Sequence, residues 1–296
     1  MRGIHTTPSA NGDGGVALAL LIVFSFLLVL LLPGEALAWG PGVHTAAARF
    51  VLANLDLVPL SVASLITQFP NTYLYGCLSA DFFVGKGTKG KPGHSHNWES
   101  AFRLAGSANS PQLMAHALGY MSHLAADVVA HNYYVPDVMA RTALPGKLAH
   151  VYVEMQADSH LTGGHTLSRL SRPSQRIVDR SLVAALEKNP FSYLCRKRVF
   201  GGSVRLCRLR GWNRSLRFAQ RLMPLPDGEQ TVEDMFELSL RAVLNVLHSP
   251  EESILKNFDP IGSANLARAK RKRAASVDVR LLELPVLPVL VFQEVA

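Results

Sequence analysis

With 296 residues, 48% hydrophobic and 18% charged, the chain has enough apolar material for a full core and too few charges for a disordered protein. Its formal charge of +8 directs it toward anionic partners such as lipid headgroups, nucleic acid or a cell envelope, without choosing among them. The three cysteines carry little information: Cys195 and Cys207 could pair in an oxidising compartment, leaving Cys77 buried and free.

The chain opens MRGIHTTPSANGDGG, then runs apolar over residues 16–32 with Ser25 its one polar residue, then reads Pro33-Gly34 and Ala36-Leu37-Ala38. That order predicts a signal peptide over residues 1–38, cut at an A-x-A site. Cleavage after Ala38 makes Trp39 the new N-terminus, and the loss of Arg2, Asp13 and Glu35 raises the formal charge by one. The protein is then secreted or periplasmic. The apolar run is also nearly long enough to span a bilayer, so an uncleaved membrane anchor is the alternative.

Beyond the cut, apolar residues recur at helical spacing over residues 46–68, 111–134, 147–161, 177–186 and 231–247, and few stretches alternate as strands do. The pattern predicts an all-α fold in one main domain, residues 39–267. Ser110-Pro111 is a cap and first-turn pair, Pro136 closes that helix, and Gly163-Gly164 ends the next. Residues 85–93, GKGTKGKPG, form a flexible basic loop just ahead of His94-Ser95-His96. Residues 268–296 are a tail, basic over 268–273 and then apolar, broken by Pro285 and Pro288 and too short to span a bilayer. It packs on the body or is loosely ordered; a peripheral membrane contact through the basic run is the alternative.

The sharpest chemical signal lies in the helix that starts at Pro111. His123, Asp127 and His131 are spaced i, i+4, i+8, one stripe that drifts about 40° per step, with the outer two about 12 Å apart along the axis. Two imidazoles that far apart cannot share one ion. They can serve two, with the middle carboxylate bridging or close to both. The following helix repeats the theme with His150 and Glu154 at i, i+4, and Asp158 continues that stripe. A single such pair is commonly a helix-surface ion pair. Two in succession, inside otherwise apolar helices, point to metal, and imidazole with carboxylate suits zinc. With His44, Asp81, His94 and His96, the segment holds more donors than one tetrahedral ion uses.

This pattern resembles the zinc-dependent phospholipase C family and its structural cousins, the S1/P1 nucleases. It runs in order: WGPGVH from Trp39 to His44, Asp81, His94 or His96, HxxxD from His123 to Asp127, His131, and HxxxE from His150 to Glu154. The resemblance implies an all-α phospholipase C/P1 nuclease-like fold with a trinuclear zinc site. In that family the mature N-terminal tryptophan binds zinc through its free amine and carbonyl, and the expected cut exposes Trp39. One zinc would then be held by the Trp39 backbone, His44 and Asp127, which bridges. A second would take Asp81, His123, Asp127 and a histidine of the His94/His96 pair, with His96 preferred for its place next to the apolar anchor Trp98. A third would take His131, His150 and Glu154. Asp81 is implied as the catalytic residue that orients or deprotonates the attacking water, and His94 and Asp158 as supporting residues or alternative ligands. The tight spacing to His131 is similar to the branch that includes glycosylphosphatidylinositol phospholipase D. The implied activity is hydrolysis of phospholipid phosphodiesters, which Glu154 favours, because the nuclease branch usually has aspartate there. The alternatives are an S1/P1-like nuclease, which would make nucleic acid the partner and which the WG start and the Trp39 to His44 spacing favour, and a non-catalytic zinc-holding envelope protein.

Other residues have plainer readings. His116 is expected to be a core histidine; His160, His165 and His248 sit at helix ends or loops; Trp98 and Trp212 belong to the core. Phe82 and Phe83, beside Asp81, are candidates to line a cleft.

Overall fold

The computed structural model describes residues 39–83, 94–142, 146–162, 175–207, 210–224 and 228–275. The expectations that fall on residues 1–38, 85–93, Gly163-Gly164, His165 and the apolar end of the tail lie outside the described residues. Among those described, all regular structure is helical, and no helix is long and apolar enough to cross a membrane.

The stretch expected as one helix over residues 46–68 is broken into three pieces. Helix α1 spans Pro41–Ala53, a 3-10 turn Leu55–Leu57, and α2 Leu60–Gln68. The break follows from Pro59: the residue before a proline is pushed into extended backbone, and Val58 has φ −124° and ψ 157°. Helix α3, Pro70–Ser79, begins with proline in its first turn, where a missing N–H costs nothing. The chain then makes a 3-10 turn, Ala80–Phe82, and after the His94 to His96 segment forms α4, Trp98–Gly106.

Helix α5, Pro111–Val129, is the axis of the molecule. Ser110 caps it by accepting from Leu113 N at 3.3 Å, and every residue from Ala115 to Val129 is buried. Helix α3 packs along one side of it, and α11, Gly228–His248, along another. Gly76 of α3 and Gly119 of α5 let the first pair approach. A Cβ added at Gly76 would lie 2.3 Å from the His116 carbonyl oxygen, and one at Gly119 would lie 2.1 Å from that of Tyr73.

Pro136 does not end this helix, contrary to the sequence reading. The backbone passes through a π-helical turn, Ala130–Tyr134, and continues as α6, Val135–Arg141, with Pro136 in its first turn. A proline inside a helix strips carbonyls one turn back of their donor. Here Asn132 O receives the side-chain amide of Asn265 at 3.2 Å instead. Asn265 belongs to α12, Ser263–Ala275, which packs on α6 and the π turn, so the basic run 268–273 begins on a folded helix and not in a tail.

The remaining helices are α7, Gly146–Thr162, α8, Arg176–Ala185, α9, Pro190–Cys207, and α10, Arg210–Leu222. Cys195 and Cys207 share α9, and twelve residues of helix separate their backbones by about 18 Å, far beyond disulfide reach. Cys195 is accordingly a free, exposed thiol, while Cys77 is buried and free as expected.

The close contact of α3 and α5 gives a direct test of the frame. Gly76→Ala or Gly119→Ala forces a methyl group into helix backbone and should destabilise the protein by about 2–3 kcal/mol or more in urea unfolding. Gly106→Ala, where an added Cβ meets nothing within 4 Å, should change stability by less than about 1 kcal/mol.

Candidate metal centre

The close approach of α3 to α5 brings the end of α3 and the turn after it onto the face of α5 that carries His123 and Asp127. His123 Nδ1 lies 2.9 Å from the Cys77 carbonyl oxygen. A carbonyl only accepts, so Nδ1 carries a proton and Nε2 points inward. Around that nitrogen gather His96 Nε2 at 3.1 Å, Asp127 Oδ2 at 3.3 Å and Asp81 Oδ1 at 3.7 Å. His96 Nε2 lies 3.2 Å from both Asp81 Oδ1 and Asp127 Oδ2. Four donors at 2.0–2.1 Å from a tetrahedral zinc stand about 3.3 Å apart, which is the spacing of these atoms.

Asp127 faces two ways. While Oδ2 serves His96 and His123, Oδ1 lies 3.3 Å from His44 Nε2, and the His44 ring stacks on that of His123 with centroids 3.8 Å apart. His44, Asp81, His96, His123 and Asp127 are all at most 2% exposed. Both carboxylate oxygens of Asp81 and of Asp127, and His44 Nε2, make no hydrogen bond of proper geometry. Buried polar atoms converging without hydrogen bonds are a donor set that fits a cation.

Burial pushes the Asp127 carboxyl up, but the imidazoles of His123, His44 and His96 more than offset this and hold it well below the usual carboxylate range. Asp81 is lowered in the same way, with burial opposed by His123 and His96. Burial also works to lower His123, yet Asp127 and Asp81 leave it raised, whereas burial and the neighbouring His123 depress His44. The carboxylates are therefore ionised and a lone-pair nitrogen is available, as a metal site requires.

His131 sits on the π turn, away from this cluster. Its ring meets that of His150 edge-on, with centroids 5.3 Å apart, and His150 Nε2 lies 2.9 Å from Glu154 Oε1. All three are buried. The structure thus sets His131 against the His150 and Glu154 pair, three residues that the family resemblance groups together. Gly262 presses on this turn with φ +61°, and a Cβ there would lie 2.1 Å from the His131 carbonyl oxygen.

Between His94 and His96, the structure places His96 in the cluster. His94 Nδ1 instead accepts from the His96 backbone N–H at 3.1 Å. Ser100 Oγ donates to His94 O at 2.8 Å, and the Tyr120 hydroxyl to Ser95 O, so this segment is held to both α4 and α5. An open cleft of about 400 Å3 reaches His94 and His96 between the start of α4 and residues 256–263. Trp98 forms part of its wall and donates from Nε1 to Phe258 O at 3.1 Å.

Trp39 is fully buried, stacked on Tyr134 with centroids 4.9 Å apart, and its Nε1 donates to Ser239 Oγ at 3.0 Å. Asp158 holds backbone: its carboxylate accepts from Gly42 N at 3.0 Å and Val43 N at 2.7 Å in the first turn of α1, immediately before His44. Gly40 leaves room for it, since a Cβ there would lie 2.5 Å from the Asp158 carboxyl carbon.

The other residues read from the sequence fall as follows. His116 is a core histidine, its Nε2 2.8 Å from Ser79 Oγ, and burial pushes it down to about 3, so it is neutral. His160 pairs with Glu233 at 3.1 Å, and His248 ends α11. Trp212 is buried. Phe82 and Phe83 do not line the cleft. They pack with Tyr75, Tyr193 and Phe200 in a buried aromatic cluster. Sequence reading missed the supports, Cys77 O, Tyr120, Ser239, Gly262 and Asn265; of these only glycine and asparagine beside a helix start carry any local signal.

An all-helical frame with a buried histidine and aspartate cluster against its central helix is suited to hold a metal ion. The chain belongs to the zinc-dependent phospholipase C family, which matches it over residues 43–194 and implies a hydrolase. Comparison with curated proteins and with solved structures gives no match.

The Asp158 cap is testable apart from any metal. Asp158→Ala should cost about 1–2 kcal/mol in urea unfolding, because it leaves two buried N–H groups at the start of α1 without an acceptor. Unchanged stability would mean that the cap is dispensable.

Proposed function

We propose that the protein is a phospholipase C that hydrolyses lipid phosphodiesters at a trinuclear zinc centre. The ligands are the Trp39 backbone, His44 and Asp127 for one ion, Asp81, His96, His123 and Asp127 for a second, and His131, His150 and Glu154 for a third. The observation that carries this reading is Asp127, whose Oδ1 lies 3.3 Å from His44 Nε2 while its Oδ2 lies 3.2–3.3 Å from the Nε2 atoms of His96 and His123. A single buried carboxylate shared by two donor groups is what a bridged centre needs. Export fits the same picture: removal of residues 1–38 frees the amine of Trp39, whose side chain is already locked between Tyr134 and Ser239.

Zinc, when bound, supplies hydroxide near neutral pH and polarises the phosphate oxygens. The residues of the chain supply the rest. Asp81 keeps Oδ1 close to His96 and His123, which leaves Oδ2 to accept the proton of the attacking water. Cys77 O and Ser95 Oγ fix the His123 and His96 rings so that they cannot turn away. The cleft at His96 offers Trp98, Phe258 and Ile261 as an apolar wall for the lipid, with Lys256 adding positive charge beside it.

Assay of the purified protein against phosphatidylcholine and single-stranded DNA in parallel should show release of phosphocholine. DNA cleavage without lipid hydrolysis would place it with the nucleases. Asp127→Asn should remove more than one zinc per chain, and a chelator should lower the melting temperature of the wild type markedly. One zinc or none in well-folded wild-type protein would end the trinuclear reading. A chain that starts Met-Trp39 replaces the free amine with an amide, a far worse donor. Its activity should fall at least about tenfold relative to a chain starting at Trp39, or about 1.4 kcal/mol. Equal zinc content and equal rates would remove the N-terminus from the site.

A further inference from the structure

Between Glu187 and Asp227 the chain contains ten lysines and arginines and no acidic residue, more positive charge than the +8 of the whole protein. The folded part of this segment is α9 and α10; α9 begins inside the region matched by the family, which ends at residue 194, and α10 lies wholly beyond it. Helix α10 is two-faced. Trp212 and Leu216 are buried toward α7, where Gln156 Nε2 donates to Leu216 O at 3.1 Å and the Tyr152 hydroxyl to Met223 O at 2.6 Å.

The opposite face consists of Arg214, Arg217, Phe218, Arg221 and Leu222, at i, i+3, i+4, i+7 and i+8, and every one of them is exposed. Phe218 is 54% and Leu222 66% accessible. Helix α9 repeats the combination. Phe191, at 77%, stands exposed with Leu194 and Val199, beside exposed Arg198 and Arg205. Most of the large apolar side chains exposed among the described residues are on these two helices.

Arginines alone would suit any polyanion. Nucleic acid, however, would leave Phe191, Phe218 and Leu222 in water, where large apolar side chains gain nothing. A bilayer with anionic headgroups takes both kinds of group: guanidinium at the phosphate level with its stem lying along the apolar surface, and phenyl and leucyl groups at the acyl boundary. We propose that α9 and α10 form an interfacial surface that docks the protein on anionic phospholipid membranes. Because α10 rests on α7, which carries His150 and Glu154, the docking face and the metal centre share one helix as a wall. Docking is a binding event, so it stands or falls separately from the phospholipase reading.

Co-sedimentation with vesicles of phosphatidylcholine, with and without phosphatidylglycerol, tests this on the full protein and two variants, Arg214→Gln/Arg217→Gln/Arg221→Gln and Phe218→Ser/Leu222→Ser. All the changed side chains are exposed, so folding and zinc content should match wild type and are measured alongside. Wild type should bind the anionic vesicles and lose binding when salt rises from ~0.1 M to ~1 M, which cuts the Debye length from about 10 Å to about 3 Å. Each variant should bind at least about tenfold more weakly. Undiminished binding by both variants overturns the proposal. It is equally overturned if deleting residues 276–296 abolishes vesicle binding while the α10 variants bind as wild type, which would make the apolar tail the membrane contact. Retention on single-stranded DNA that depends on the arginines but not on Phe218 and Leu222, with no binding to vesicles, would make the face a nucleic-acid surface and overturn it as well.

Discussion

The structure depends on a buried carboxylate that must stay charged. Asp127 is fully enclosed at the centre of the longest buried helix, and burying a lone carboxylate costs several kcal/mol. Three imidazoles surround it, yet their protons cannot settle the account. His123 gives its Nδ1 proton to Cys77 O, its Nε2 and that of His96 face each other at 3.1 Å, and Asp81 adds a second negative charge. Two lone-pair nitrogens in contact repel unless one is protonated or a cation lies between them. Divalent cations on the two oxygens of Asp127, as proposed, would satisfy both carboxylates and all three rings and would link folding of the core to metal binding.

The rest of the frame serves this constraint. Donors must converge to within a few tenths of an ångström, so they come from helices packed too closely to slide. The Gly76 to Gly119 contact sets α3 against α5 and thereby sets Cys77 O and Asp81 against His123. Asp158 ties the start of α1, and so His44, to α7, the helix of His150 and Glu154. The π turn holds His131 and leads the chain into Pro136 without ending the helix, and the Asn132 carbonyl that the proline leaves without a donor is served from α12. A helical irregularity at a donor residue, braced by Gly262 and Asn265, is a local cost maintained for the site.

What was legible in the sequence was the chemistry with helical periodicity. His123, Asp127 and His131, and then His150 and Glu154, declare themselves because side chains four apart share a helix face whatever the tertiary fold does. The helices over 177–186 and 231–247 were visible for the same reason. What depends on tertiary contact was hidden. A proline reads as a helix end unless a distant amide is known to cover the freed carbonyl. A carboxylate such as Asp158, on the stripe of His150 and Glu154, reads as a partner for a ligand until the packing shows backbone N–H groups in front of it. Phe82 and Phe83 sit next to Asp81 in sequence, but they pack into the aromatic cluster. The helices α9 and α10 were missed because apolar residues stand on their exposed faces among the arginines and blur the stripe that Trp212 and Leu216 make on the core side.

The central claim is that the donors around Asp127 hold zinc on both of its sides. An anomalous-difference map from crystals of the protein, collected just above and just below the zinc absorption edge, tests it directly. The account predicts one peak among Asp81, His96, His123 and Asp127, a second on the His44 side of Asp127 beside the Trp39 backbone, and a third at His131, His150 and Glu154. An ordered cluster with no zinc-specific peak between its imidazoles and carboxylates would contradict it.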